Sequence, residues 1–167
     1  MINQSHLTAI GRSNKLPTPT RFLYEKGLLI PSVLDYGCGR CHNINNKFFN
    51  TEGFDPFYRP FFGEKKLYKT IICNYVLCVL PKKKEHLEVL KTIQSLLKEE
   101  DGIAYVSVRN EKPPQGYGWT PRKTYQAKVR LDLPVMKTTR EFIMYELRKN
   151  IPLAFASPRK NQLELVQ

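Results

Sequence analysis

The stretch Val33-Leu34-Asp35-Tyr36-Gly37-Cys38-Gly39-Arg40 constrains the fold more than any other part of the chain, because a short apolar run meets an acid and then two glycines one residue apart. A brief aliphatic run of this kind predicts a buried parallel strand. Glycines directly after it let the backbone turn sharply and leave space for a ligand to come close. The stretch therefore reads as a strand feeding a cofactor loop.

Asp-x-Gly-x-Gly alone is a modest signal, and its weight comes from two segments downstream of it. Asp55 stands eighteen residues after Gly37, in Gly53-Phe54-Asp55-Pro56, at the tip of a second predicted strand. Nucleotide-binding folds hold ribose hydroxyls with an acid in that place. Thr70-Ile71-Ile72-Cys73-Asn74-Tyr75 reads as a further buried strand ending in a polar residue. Three such strand ends would converge on the crevice outside the carboxyl edge of a parallel sheet.

These segments resemble the first and second motifs of class I S-adenosylmethionine-dependent methyltransferases. Thr8-Ala9-Ile10 with Arg12, residues 34–40, Phe54-Asp55-Pro56-Phe57-Tyr58 and Cys73-Asn74-Tyr75-Val76-Leu77 are similar to small bacterial and phage members of that group. Those members include the amino-terminal part of the phosphorothioation-associated type, and the likeness spans about residues 8–149. It implies an α/β fold, a Rossmann-like and mostly parallel sheet flanked by helices, closed by a C-terminal antiparallel strand pair. It also implies S-adenosyl-L-methionine as cofactor, held by Asp35, Gly37, Cys38, Gly39, Asp55, Pro56 and Asn74, with Arg12 pairing with the methionine carboxylate. Two departures stand out. Cys41 replaces a third glycine, and the eighteen residues between Asp55 and Asn74 are too few for the usual helix, third strand and adenine-side acid. Phe57, Tyr58, Phe61 and Phe62 either build the adenine pocket or form a satellite core under a loop.

A chain of 167 residues suits one domain. We expect an arm at 1–19, the methyltransferase-like domain at 20–149 and a tail at 150–167. The apolar run from Thr70 to Leu80 is too short to cross a bilayer. No signal segment opens the chain, so the expectation is a soluble protein of the cytoplasm of a bacterium or a phage-infected cell. The net charge of +12 makes nucleic acid the first candidate partner, and it is concentrated from Arg109 to Gln167, with 12 basic and 5 acidic residues. Oligomeric state is not legible.

Cys38, Cys41, Cys73 and Cys78 are spaced C-x2-C and C-x4-C. Structural zinc pairs sit on knuckles and not inside a glycine loop, so the thiols read as reduced and inert, with no metal expected.

Thr20–Lys26 reads as a short helix stopped by Gly27, and Arg40–Phe49 as the start of a frayed helix. In Lys82–Glu99, Leu87, Leu90, Ile93 and Leu97 recur at helical steps, and His86 falls on the polar side as a surface residue. Ile103–Val108 predicts another parallel strand. Glu111–Tyr125 holds three prolines and two glycines and reads as a long loop. Its Tyr117, Trp119, Arg122, Lys123 and Tyr125 interleave rings and cations as a stacked base with its phosphates requires, although Trp119 serves equally as a core anchor. Val129–Leu133 and Phe142–Leu147 alternate apolar and polar positions and read as an antiparallel pair.

The combined expectation is methyl transfer from S-adenosylmethionine to nucleic acid, with no metal or covalent nucleophile needed. The alternatives are a binding module for S-adenosylmethionine or a nucleotide without turnover, or an enzyme acting on a small molecule or protein. Asn74 and Tyr75 are the catalytic candidates: the amide oxygen accepts a hydrogen bond from the methyl acceptor, and Tyr75, with Tyr117 or Trp119, stacks on its ring. DNA amino-methyltransferases carry Asp or Asn, two prolines and an aromatic there, whereas this chain has Asn-Tyr-Val-Leu.

Overall fold

The computed structural model describes residues 3–9, 15–40, 50–60 and 66–153. Arg12, Cys41, Phe61, Phe62, all but Arg40 of the helix expected over Arg40–Phe49, and the tail from 154 onward lie outside the described residues.

One sheet is built from six strands: β1 (Val33–Tyr36), β2 (Thr51–Phe54), β3 (Thr70–Asn74), β4 (Ile103–Arg109), β7 (Val135–Thr138) and β8 (Phe142–Arg148). Their order across the sheet is β2-β1-β3-β4-β8-β7. The first four run parallel, and β8 and β7 pair antiparallel to close the sheet. This is the expected Rossmann-like architecture. Among the described residues the sheet ends at β2, with no strand beyond it.

Side chains leave a strand alternately to its two faces, and the core divides accordingly. Leu34, Ile71, Cys73, Ala104, Val106 and Tyr145 turn to one face, against Leu90, Ile93 and Leu96 of helix α2 (Lys83–Leu96). Ile72, Tyr105, Phe142 and Met144 turn to the other, against Leu23 of helix α1 (Thr18–Glu25). Each fully buried leucine or isoleucine contributes about 1.5–3 kcal/mol over leaving it exposed. Helix α2 starts where the Glu85 side chain accepts the Lys82 amide hydrogen at 2.8 Å. Helix α1 stops at Gly27, which takes φ +67.

Three expectations need correction. The partner of β8 is Val135–Thr138 and not Val129–Leu133. Val129, Leu131 and Leu133 do alternate inward, but they pack on the core outside the sheet. The stretch 111–125 is not all loop: β5 (Gly118–Trp119) and β6 (Tyr125–Gln126) pair antiparallel, joined by a turn in which the Thr120 amide donates to Thr124 O at 2.8 Å. His86 is buried at 5% exposure, its Nε2 lying 2.8 Å from Leu80 O. No helix among the described residues is long and apolar enough to cross a membrane.

Because β1 to β4 are parallel, Tyr36, Phe54, Asn74 and Arg109 end their strands at one edge of the sheet. The chemistry gathers there.

Candidate active site

Beyond β1 the chain turns through Gly37 at φ +77 and Gly39 at φ +54, a backbone region that favours glycine. The Gly37 and Cys38 amides both donate to Phe54 O, at 2.7 and 2.9 Å. The Gly39 amide donates to the Asp55 carboxylate at 3.1 Å. Glycine loops that cradle phosphates do so with free amide hydrogens. Here all three are spent within the protein.

The other Asp55 oxygen accepts the Phe57 and Tyr58 amides, each at 2.9 Å. Paired hydrogen bonds between Asp55 and Arg59 close the same turn. Asp55 thus stitches β2 to the loop. Asp35 is buried at 5% exposure at the end of β1. Burial first, and then the Asp35 and Asp55 carboxylates, push the Cys38 thiol up to about 12. That thiol is neutral at physiological pH and no nucleophile.

At the end of β3, Asn74 donates from Nδ2 to Thr20 Oγ1 of α1 at 2.7 Å. Its Oδ1 is buried and has no partner among the described residues. An unmade hydrogen bond of that kind costs about 1–3 kcal/mol. Tyr75 follows at φ 61, with its amide donating to Ser107 O at 2.8 Å. Burial, and then Glu141, push the Tyr75 hydroxyl up to about 12, so the ring stays neutral.

These groups line one cavity of about 340 Å³. The amino-terminal residues roof it through a 3-10 turn at Ser5–Thr8. The His6 ring stacks on Phe57 with centroids 4.0 Å apart, and Tyr58 Oη donates to His6 O at 3.0 Å. The Arg40 guanidinium donates to that same hydroxyl at 3.0 Å. On the far side, Asn3 Nδ2 donates to Val79 O at 2.8 Å, and the Gln4 amide donates to Lys123 O at 2.9 Å.

The structure brings Asp35, Gly37, Cys38, Gly39, Asp55, Pro56, Asn74 and Tyr75 together around this cavity. Phe57 lines it too and, at 60% exposed, is not a buried core residue. Tyr117, Trp119, Arg122, Lys123 and Tyr125 are not in its walls. They belong to the β5–β6 hairpin, of which only Gln126 reaches the cavity. Ala127 ties the hairpin to the cavity through its amide, which donates to Cys78 O at 2.7 Å. Trp119 packs edge-on against Tyr125 at 5.3 Å and remains 44% exposed, so it is not a core anchor. Sequence reasoning missed His6 and Arg109. Arg109 carried the same signal as Asn74, a polar residue ending a buried run.

Cys73 and Cys78 are buried free thiols, like Cys38. No group of three or more metal-ligating side chains occurs among the described residues.

A family model described as a methyltransferase domain matches residues 9–153. No curated protein matches the chain. Among solved structures, magnesium protoporphyrin IX methyltransferase from Synechocystis PCC 6803, with bound SAM, is similar at 18% identity and TM-score 0.44, over 77% of this chain and 75% of that one. PKMT2 from Rickettsia typhi is similar at 16% identity and TM-score 0.33, over 50% of this chain and 21% of that one. Its complex with AdoHcy is similar at 19% identity over the same shares.

Proposed function

The chain belongs to the methyltransferase-domain family, whose methyl donor is S-adenosylmethionine, and from that premise we propose that it methylates nucleic acid. The cavity suits such a donor. With the amides of Gly37, Cys38 and Gly39 spent internally and two carboxylates nearby, the loop has no phosphate cradle and favours a ligand with cationic groups. A volume of about 340 Å³ lies within the small-molecule range. Gly37 and Gly39 would take the donor's close approach, and Asp35, Asp55 and Phe57 would hold its cationic and ring-bearing parts. When bound, S-adenosylmethionine supplies an activated methyl on a good leaving group.

The chain's own task is then to align an acceptor and exclude water. Asn74 Oδ1 accepts a hydrogen bond from the acceptor's N–H or O–H, and the Thr20 contact fixes which way the amide faces. Tyr75, held at φ 61, offers a neutral ring as a wall.

The observation that carries the acceptor class is the hairpin beside the cavity. Tyr117 and Trp119 stand 41% and 44% exposed, next to exposed Arg122 and Lys123, on a chain of net charge +12. Exposed rings among cations suit stacked bases and their phosphates. Incubation with isotope-labelled S-adenosylmethionine and separate DNA and RNA pools, followed by nucleoside mass spectrometry, should place label on a base. Label in neither pool overturns the reading.

A further inference from the structure

We infer that the part of the cavity at the end of β4 is an acceptor subsite in which Arg109 binds a phosphate of the substrate, beside the group that Asn74 positions. The inference rests on the methyltransferase reading above and specifies its substrate contact.

Four buried side-chain atoms lack a partner among the described residues: Asn3 Oδ1, Asn74 Oδ1, Ser107 Oγ and Arg109 Nε. They are not scattered. Asn74 and Ser107 are direct partners in the β3–β4 ladder, and Arg109 lies two residues further on, on the same face of β4. Asn3 is tied by its other side-chain atom to Val79, which lines the cavity. Of the four, Asn74 and Arg109 line the cavity, and because buried polar groups in folded proteins are almost all hydrogen-bonded, these two mark where a ligand's polar atoms belong.

The charges fit that assignment. Arg109 lines the cavity, with its guanidinium carbon 6.0 Å from the centroid of the Tyr75 ring. Its amide donates to Cys78 Sγ at 3.1 Å, which fixes the backbone under the side chain. No ion pair engages it among the described residues. Arg130 differs, because its guanidinium donates to Val129 O at 2.8 Å and Asn110 Oδ1 at 2.9 Å. Carboxylates of Asp35 and Asp55 line the cavity near the glycine loop, and the Arg109 guanidinium lines it beside Tyr75, where the Glu141 and Glu111 carboxylates also act on the ring. The planar guanidinium matches two phosphate oxygens at once, and the Tyr75 ring beside it offers a flat face to a base.

The test uses the whole chain saturated with S-adenosylhomocysteine, with inorganic pyrophosphate and a short single-stranded oligonucleotide as calorimetric probes. Arg109→Ala should weaken pyrophosphate binding about tenfold or more, as expected for loss of a charge-assisted contact. Arg109→Lys, which keeps the charge but not the fork, should fall between that variant and the wild type. Lys84→Ala, on exposed α2 surface, should bind as the wild type does, and S-adenosylhomocysteine affinity should hold in all. Unchanged pyrophosphate affinity in Arg109→Ala, equal loss in Lys84→Ala, or a parallel loss of S-adenosylhomocysteine affinity overturns the subsite. Oligonucleotide methylation that survives Arg109→Ala at full rate also overturns it while leaving the nucleic-acid reading intact. Pyrophosphate binding that depends on Arg109, with no label passing to any nucleic acid, supports the subsite and points to a free phosphorylated small molecule.

Discussion

The Asp55 carboxylate accepts the Gly39 amide hydrogen at 3.1 Å, so the tip of β2 holds the loop that leaves its neighbour β1. Its second oxygen holds Phe57 and Tyr58, and the residue thereby fixes two walls of the cavity. An acid in this place reads from sequence as a ribose ligand; the hydrogen bonds give it a structural task as well.

Asp55→Ala should lower stability by about 1–3 kcal/mol, because three amide donors lose their acceptor. Affinity for S-adenosylhomocysteine should fall with it. Urea unfolding and calorimetry on the same preparation check both. Affinity falling while the unfolding midpoint stays put would mean that the carboxylate serves the ligand alone.

Gly37→Ala should destabilise the fold even without ligand, since an added Cβ would collide with Val76 Cγ2 and the position sits at φ +77. A cost of about 1–3 kcal/mol is expected for such overpacking. Adding Val76→Ala should recover the steric part and leave the backbone part. Gly116→Ala isolates the latter, because φ is +79 there and nothing lies within 4 Å of the added Cβ. Equal unfolding midpoints for the Gly37 and Gly116 variants would show that Val76 yields freely.

Asn74→Ala should cut turnover about tenfold or more, about 1.4 kcal/mol, with cofactor affinity nearly unchanged. Asn74→Asp keeps an oxygen on the cavity side, and the Thr20 hydroxyl can turn to donate to the other oxygen, so it should retain more activity. Single-turnover rates with labelled donor check the order. Identical rates for the two variants would place the acceptor contact elsewhere.

Alkaline pH should unfold the protein early. Burial raises Tyr36 and Tyr75 from 10.0 and Cys38 from 9.0, each to about 12. All three are neutral when protonated, and the unfolded chain releases these protons first. Their contribution is therefore full below about pH 9 and is lost as pH rises toward 12. Urea midpoints across that range should fall, and Tyr36→Phe should flatten the decline. A flat profile in the wild type contradicts the burial of these groups.

The parts of the fold that the sequence made legible are those written locally. A four-residue buried run before Gly37 and Gly39 is a strand and turn whatever surrounds it, and Leu90 and Ile93 mark a helix face by spacing alone. Alternation at Val129, Leu131 and Leu133 misled because it reports which side chains are buried, and an extended segment lying on the core buries them as a ladder strand does. The β5–β6 hairpin turns at Lys123 with φ 57, a conformation that no glycine announces. His86 sits among lysines and glutamates, yet its ring reaches back across Pro81 to Leu80 O, a contact invisible to periodicity. In the site, the strand-end residues were legible because parallel strands put their ends on one edge. Arg109 ends β4 as Asn74 ends β3 and carried the same signal, but the sequence does not tell an arginine without an ion pair from the hydrogen-bonded Arg130.

The amino-terminal segment touches both halves of the site, through His6 on Phe57 at one end and Gln4 on Lys123 at the other. It is a strut between the Phe57 wall of the cavity and the aromatic hairpin. Two ligands that each displaced this strut would be coupled through it, and thermodynamic reciprocity then requires that they change each other's affinity by the same factor.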